Sequence, residues 1–266
     1  MMPFIRAGNL NVFYIEHGIG RPIIFVHGNW ATGSWWEPVL AKLPDGLRGI
    51  AYDMRGRGRT GGPDSDYSIP SLAADLKAFA EAMRLDWFHV VGHSLGSAVA
   101  MQFALDHPEQ VHTLTVVAPA WVDGWEAKPI EEDRQRELKA NRNLFDSTMK
   151  SLFPTVQDDH YWKRLLDEGH EQRLEAAVGV IRAFETWKPG NLLQSIQCPK
   201  LVIGGEKDFL SNAQIVDRAT EALDARLVVM PGVGHGPNIE ATEAFLALLL
   251  SQIMPGRARN QSPMGS

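Results

Sequence analysis

The sequence predicts an α/β fold built on a mostly parallel sheet. Three observations support this prediction: short apolar runs recur along the chain, they are continuous rather than alternating, and helix-length segments separate most of them. Continuous apolar runs are typical of strands covered on both faces, and alternation of such strands with helices is typical of parallel sheets. The predicted strands of this kind are residues 23–26, 49–52, 88–91, 114–117, 201–203 and 227–230.

Composition limits the classes of protein that the chain can represent. Its 266 residues suit one or two domains, and a hydrophobic content of 44% provides a large core. The net charge of −6 argues against nucleic-acid binding and against an anionic membrane partner. A single cysteine, Cys198, excludes an internal disulfide and a cysteine-built metal site. Because we find neither a secretion leader nor an apolar run that could span a membrane, we expect a cytoplasmic protein.

The remaining elements follow from local patterns. Residues 4–6 and 11–15 alternate in polarity around a turn, which predicts an antiparallel hairpin at the edge of the sheet. Residues 68–83 repeat apolar side chains at helical spacing, and residues 94–106 form a helix of small side chains suited to close packing on the sheet. A last helix is predicted over 238–253, with Asn238 as its N-cap.

Residues 121–190 interrupt this alternation. The segment contains no convincing strand, is rich in charged residues, and has helical periodicity around 161–166 and 174–184. We interpret it as a helical insertion with an aromatic underside; the alternative is that these helices only thicken the domain. The core is then 1–120 with 191–254, and the Pro/Gly/Arg-rich tail 255–266 is predicted to be disordered.

The sequence Gly92-His93-Ser94-Leu95-Gly96 carries the strongest chemical signal. The string alone is weak, but it follows a predicted buried strand and precedes a predicted helix, which is the setting of a nucleophile elbow. A sharp strand-to-helix turn would expose the Ser94 hydroxyl at the carboxyl end of the sheet. The first N–H groups of the helix would then face the bound oxygen.

A serine nucleophile needs a base and an orienting carboxylate. His235 is the predicted base because it lies in a glycine-rich loop between the last strand and the last helix, whereas His93 is expected to point away from the serine. Asp208 follows the strand at 201–203 and is the preferred acid, with Asp123 as its competitor. The chain order Ser, Asp, His fits a hydrolase.

A third loop, His27-Gly28-Asn29-Trp30, follows the strand at 23–26. The backbone N–H of Asn29 could bind a developing oxyanion together with the N–H of Leu95, and Trp30 would form a wall of the substrate pocket. Alone, this loop is equally well interpreted as an ordinary turn with a structural histidine.

Together these residues resemble the α/β-hydrolase family, and the resemblance covers nearly the whole chain. The loop at 27–30, the sequence DMRGRG at 53–58, the elbow, the Asp208 loop and the His235 loop occur in the family's order. The resemblance implies an eight-stranded, mostly parallel sheet with helices on both faces. It also implies that residues 121–190 form a cap, or lid, over the active site, and that Asp53 and Arg55 are structural.

The implied function is that of a serine hydrolase with a catalytic triad, which cleaves a small hydrophobic carboxylic ester or lactone through an acyl-enzyme and needs no cofactor or metal. We expect an apolar substrate pocket, no nucleic-acid or membrane partner, and a monomer or a homodimer. The alternatives are a C–C bond hydrolase, a cofactor-free haloperoxidase and a small-molecule receptor that retains the triad. The predicted pocket residues are tryptophans, at Trp30, Trp121, Trp125, Trp162 and Trp187.

Overall fold

The computed structural model describes residues 3–63, 65–126, 129–157 and 159–254. Its eight strands form one sheet in the order β1-β2-β4-β3-β5-β6-β7-β8. The strands β1 and β2 are antiparallel to their neighbours, and β3 to β8 are parallel. The prediction of a mostly parallel sheet with an antiparallel hairpin at one edge is confirmed. The strands are β1 Phe4–Ala7, β2 Leu10–Gly18, β3 Gly20–Val26, β4 Gly46–Tyr52, β5 Phe88–His93, β6 Val111–Val117, β7 Lys200–Gly205 and β8 Arg226–Met230.

Helices cover both faces of the sheet, because the parallel strands are apolar on both sides. One face packs against α2, α3 and α8 and the other against α1 and α10, each through a separate apolar cluster. The helices are α1 Glu37–Leu40, α2 Ile69–Ala82, α3 Leu95–Asp106, α4 Pro129–Ala140, α5 Arg142–Leu152, α6 His160–His170, α7 Leu174–Thr186, α8 Ala213–Leu223, α9 Pro237–Glu240 and α10 Thr242–Ile253.

The insertion, residues 121–190, lies between β6 and β7 and contains α4 to α7. Its described residues form no strand, as the sequence predicts. A third apolar cluster joins α5 and α6 to the loop after β3, through side chains that include Trp35, Phe153 and Trp162. The predicted disordered tail, 255–266, lies outside the described residues, so its structure is not described.

The prediction of one helix over 238–253 is wrong in its first turn. The chain forms the short helix α9, leaves helical geometry at Ala241 (φ −143°, ψ 53°), and then starts α10. Asn238 is not an N-cap; it is fully buried in α9, and its Nδ2 donates to the carbonyl oxygen of Trp35 at 2.9 Å. The break occurs because this segment bonds to the loop after β3 instead of continuing the following helix.

Candidate active site

Ser94 stands on a strained turn between β5 and α3. Its backbone has φ 52° and ψ −118°, a conformation that costs free energy for any residue with a side chain. A Cβ atom on Gly92 would lie 2.2 Å from the carbonyl oxygen of Gly96, and one on Gly96 would lie 2.3 Å from that of Val26. Both flanking positions therefore require glycine, as the elbow motif predicts.

Neighbouring hydrogen bonds fix this turn. The backbone N–H of Ser94 donates to Val117 at 2.9 Å, and its carbonyl oxygen accepts the hydroxyl of Ser97 at 2.6 Å. Ser97 is fully buried, and its hydroxyl also accepts the N–H of Ala120 at 3.0 Å. The strained turn at Ser94 is thus held by β6, by α3 and by Ala120, the residue before the insertion.

Asp208 and His235 are in direct contact. His235 Nδ1 lies 2.7 Å from Asp208 Oδ2, and both side chains are buried. The other carboxylate oxygen, Oδ1, accepts the N–H groups of Leu210 and Ser211, each at 2.9 Å. Burial by itself would raise the pKa of Asp208, but the charge of His235 and these hydrogen bonds outweigh it and hold the pKa below its usual value. An ionised Asp208 keeps a proton on Nδ1 and leaves Nε2 of His235 free to accept one.

The competing acid makes no such contact. Asp123 pairs with Arg218 at 2.7 Å and is half exposed. Its ion pair is with Arg218, whereas the carboxylate in contact with His235 is that of Asp208.

Ser94 and His235 line the same cavity, which has a volume of about 400 Å³. The two residues follow β5 and β8, and the carboxyl ends of parallel strands lie at one edge of the sheet. The fold therefore brings together the three residues that the sequence assigns to a triad, although they are far apart along the chain.

His93, which the sequence predicts to point away from Ser94, lines the same cavity. Its Nε2 donates to the carbonyl oxygen of His235 at 2.7 Å, and the two rings are 5.0 Å apart. Burial lowers the pKa of His93 to about 3, so the ring is neutral and acts as a hydrogen-bond donor. The N–H of His235 in turn donates to Leu152 at 2.8 Å, so α5 also positions the His235 loop.

The loop after β3 also approaches Ser94. Asn29 and Leu95 both line the cavity, which is the placement that two oxyanion donors require. A Cβ on Gly28 would lie 3.2 Å from that of Ser94, so the loop passes close to the nucleophile. His27 anchors the loop from below: its Nε2 accepts the N–H of Met54 at 3.1 Å, and burial lowers its pKa to about 3. His27 is therefore a structural histidine, and this role is compatible with an oxyanion donor at Asn29 in the same loop.

Asp53 and Arg55 have the structural environment that the resemblance implies. Asp53 accepts the N–H groups of Gly33 at 2.7 Å and Arg59 at 2.8 Å. Arg55 forms a two-fold hydrogen-bonded ion pair with Asp75 at 2.5 and 2.6 Å. These contacts join the loop after β4 to the loop after β3 and to α2.

Three of the five predicted pocket tryptophans line the cavity, namely Trp30, Trp121 and Trp125. The other two do not. Trp162, on α6, is buried between the insertion and the loop after β3, where it packs against Trp35 and Phe153. Trp187 packs in the core beside α3, where its Nε1 donates to Gln102 at 2.9 Å. Composition alone cannot separate these roles, since all five lie near the insertion or the loop after β3.

Several lining residues are absent from the set predicted from the sequence. Trp35 lies under the site and stacks on His93 at 6.5 Å, and Phe209, next to Asp208, is 60% exposed at the cavity. Trp35 follows Trp30 in an unusually tryptophan-rich stretch, a signal that could have identified it.

Two features are absent from the described ranges, a metal-binding cluster and a membrane-spanning helix. Those residues contain no group of three or more His, Cys, Asp and Glu side chains that could hold a metal ion. None of their helices has the length and apolarity needed to cross a membrane.

A profile of the alpha/beta hydrolase family matches residues 23–248, most of the chain. The chain belongs to the alpha/beta hydrolase family. Among curated relatives of this hydrolase, a putative carbamate hydrolase, RutD, from Escherichia coli is 31% identical over 248 residues. The match covers 86% of this chain and 90% of the relative. The protein is therefore an enzyme of the hydrolase class.

Solved structures of other alpha/beta hydrolases superimpose on this one. Est816, described as an N-acyl homoserine lactone degrading enzyme, matches with a TM-score of 0.77 and 25% identity, over 93% of this chain and 98% of its own. The enol-lactonase from Burkholderia xenovorans LB400 matches with a TM-score of 0.82 and 20% identity, over 94% and 99%. The second likeness bears on the fold alone.

Proposed function

We propose that this hydrolase cleaves small hydrophobic carboxylic esters or lactones through an acyl-enzyme on Ser94. The observation that carries the proposal is the cavity that Ser94 shares with His235, whose Nδ1 is held by Asp208 at 2.7 Å. A hydroxyl, a base and an orienting carboxylate in this arrangement are the parts required for acyl transfer.

The first half-reaction transfers the acyl group to the enzyme. His235 Nε2 accepts the hydroxyl proton as Ser94 Oγ attacks the substrate carbonyl carbon. Substrate binding would shorten the contact between Nε2 and Oγ. The N–H groups of Asn29 and Leu95 bind the oxyanion, and each such donor is typically worth about 10²–10³ in rate. The C–O bond then breaks, and the imidazolium gives its proton to the leaving alkoxide.

The second half-reaction releases the acid. His235 takes a proton from water as the water oxygen attacks the acyl carbon, and the tetrahedral intermediate collapses with return of the proton to Ser94 Oγ. Asp208 stays ionised throughout and stabilises the imidazolium. In a lactone the leaving alcohol remains attached to the acyl group, so the product is a hydroxy acid.

The cavity favours an apolar acyl or alcohol group. Its walls include the stacked pair Trp121 and Trp125 and, from α7, Ile181 and Phe184. A volume of about 400 Å³ accommodates a small ligand rather than a polymer. Because α4, α5 and α7 contribute lining residues, the insertion acts as a cap that closes the site from above.

A carbamate is the second candidate substrate, since the relative with 31% identity is named for one. The same attack by Ser94 on the carbonyl carbon of a carbamate would break its C–O or C–N single bond, with His235 giving the proton to the leaving group. The apolar walls favour an ester with a hydrocarbon acyl group over a small polar carbamate.

The deciding experiment follows p-nitrophenyl butyrate, aryl carbamates and γ- and δ-lactones with wild-type enzyme and with Ser94→Ala. We expect Ser94→Ala to lose turnover of the ester by about 10³-fold or more, with an unchanged thermal melt. Ser251→Ala, in α10 and away from the cavity, is the control and should match the wild type. Wild-type turnover by Ser94→Ala would refute the proposal. A single acylation without turnover would indicate a receptor.

A further inference from the structure

Gln172, in the insertion between α6 and α7, bridges a backbone group and a side chain of the loop after β3. Its Oε1 accepts the N–H of Trp30 at 3.0 Å, and its Nε2 donates to Oδ1 of Asn29 at 3.0 Å. The side chain is only 1% exposed and is not among the described residues that line the cavity. It therefore contacts the proposed oxyanion loop without facing the substrate.

The hydrogen-bond network fixes the orientation of both amides. Arg57 Nη2 lies 3.0 Å from the Asn29 side chain, and a guanidinium can only donate, so the atom facing it is Oδ1. The N–H of Trp30 can also only donate, so the Gln172 atom facing it is Oε1. Nε2 of Gln172 is then left facing Asn29 Oδ1, where it finds an acceptor. No alternative orientation of either amide satisfies all three contacts.

The loop that this network holds is strained. Trp30 has φ 55°, a left-handed conformation that is unfavourable for a bulky residue. Its carbonyl oxygen lies against α6, where a Cβ atom on Gly169 would come within 2.3 Å of it. The neighbouring Thr32 hydroxyl donates to Glu168 at 2.7 Å. Such a backbone persists only where surrounding contacts determine it, and the C-terminal end of α6 with Gln172 provides those contacts.

Arg57 holds the same oxygen from the core side. Its guanidinium is 1% exposed and also donates to the carbonyl oxygens of Arg55 at 3.1 Å and Ala176 at 3.2 Å. Asn29 Oδ1 thus receives one donor from the core and one from the insertion. With the side chain held at both points, the backbone N–H of Asn29 has a fixed direction.

We propose that Gln172 is a positioning residue, through which the insertion holds the Asn29 N–H in place for the oxyanion. The inference rests on the proposed function, because it presumes acyl transfer at Ser94. In this proposal the insertion covers the substrate and, through Gln172, also fixes one donor of the oxyanion hole.

The test is Gln172→Met, which keeps the length and removes both hydrogen bonds. We expect kcat for p-nitrophenyl butyrate to fall by about 10-fold, part of the value of one oxyanion donor, with KM within twofold of wild type. Gln110→Met is the matched control: this buried glutamine lies before β6, at the opposite end of the sheet, and should leave both constants unchanged.

A boronic acid separates positioning from general destabilisation. Ser94 Oγ adds to the boron of butylboronic acid and His235 takes the hydroxyl proton, which leaves an anionic tetrahedral adduct in the oxyanion hole. We expect the inhibition constant in Gln172→Met to rise by about the factor by which kcat/KM falls. A role confined to packing would change the melting temperature without this parallel loss.

Gln172→Glu is a second variant that tests the same contact if Gln172→Met does not fold. It keeps an acceptor for the Trp30 N–H and places a carboxylate near the buried Arg57, but it removes the donor to Asn29. We expect a kcat at least about threefold below wild type. If both variants keep wild-type kcat and boronate affinity, the inference is wrong while the proposed function stands. If the wild type itself does not turn over any ester, lactone or carbamate, the proposed function has failed.

Discussion

The indole rings of Trp121 and Trp125 stack 4.6 Å apart at an interplanar angle of 11°, and both line the cavity that contains Ser94. Phe184 packs edge-on against Trp121 at 5.4 Å. This aromatic group forms one wall of the cavity. It lies on the segment that enters the insertion and on α7, so the shape of the cavity depends on the insertion.

Removing one ring of this stack should change chain-length preference. In Trp125→Ala the cavity widens, and an aromatic pair of this kind is worth about 0.5–1.5 kcal/mol beyond its area. We expect kcat/KM for p-nitrophenyl butyrate to fall about 3- to 10-fold relative to that for the decanoate. Rates across the p-nitrophenyl ester series measure this. Trp87→Ala, which lies before β5 and is half exposed, is the control; an identical profile in all three enzymes would contradict the assignment of the wall.

Trp162 should affect stability instead of specificity. It is 2% exposed and packs on Trp35 and Phe153, so truncation leaves a cavity under the insertion. We expect Trp162→Ala to lower the free energy of unfolding by about 3–5 kcal/mol, measured by urea denaturation. The relative rates across the ester series should remain those of the wild type. A shift in chain-length preference without loss of stability would contradict this prediction and show that Trp162 contacts the substrate.

Asp208 and Asp123 provide a matched pair of carboxylates. Asp208→Asn removes the charge that holds the His235 tautomer, and we expect kcat to fall by about 10³- to 10⁴-fold. Asp123→Asn only breaks an exposed pair with Arg218 and should keep kcat within twofold. Steady-state kinetics with p-nitrophenyl butyrate decide between them. The reverse pattern would show that the acid has been assigned to the wrong residue.

Buried neutral histidines should make the fold sensitive to mild acid. Burial lowers the pKa of His27 and of His93 from 6.5 to about 3, so between these values the unfolded chain binds protons that the folded chain does not. The free energy of unfolding is then highest above pH 6.5 and falls as pH decreases, on the order of 1–2 kcal/mol per histidine by pH 5. Asp53 opposes this in part, because burial raises its pKa to about 6 and the folded state binds its proton first.

Urea midpoints at pH 7.5 and pH 5.0 measure this dependence. We expect a lower midpoint at pH 5.0 and a smaller difference in His27→Asn, which removes one of the buried histidines that titrate. Equal midpoints at the two pH values in the wild type would contradict the predicted proton uptake.

Much of the fold follows from local sequence patterns. The apolar runs predict every parallel strand, and the alternating runs predict the hairpin. Several predicted strands begin later than the observed ones; for example, β3 begins at Gly20 and β6 at Val111. Strand ends depend on pairing with a neighbour, which one run of residues does not contain. The break at Ala241 was missed for a similar reason, since Asn238 is held by the backbone of Trp35, 203 residues away in sequence.

The candidate site divides in the same way. The sequence by itself determined the turn at Ser94, because glycines at 92 and 96 are a local steric requirement. It also determined the choice of His235 and Asp208, since each follows a strand that ends at the same edge of the sheet. Only the tertiary structure decided which tryptophans line the cavity, and that His93 bonds to the backbone of His235 and Gln172 to the loop after β3. These contacts join residues 142 positions apart, within the core for His93 and between the insertion and the core for Gln172, and no local pattern encodes them.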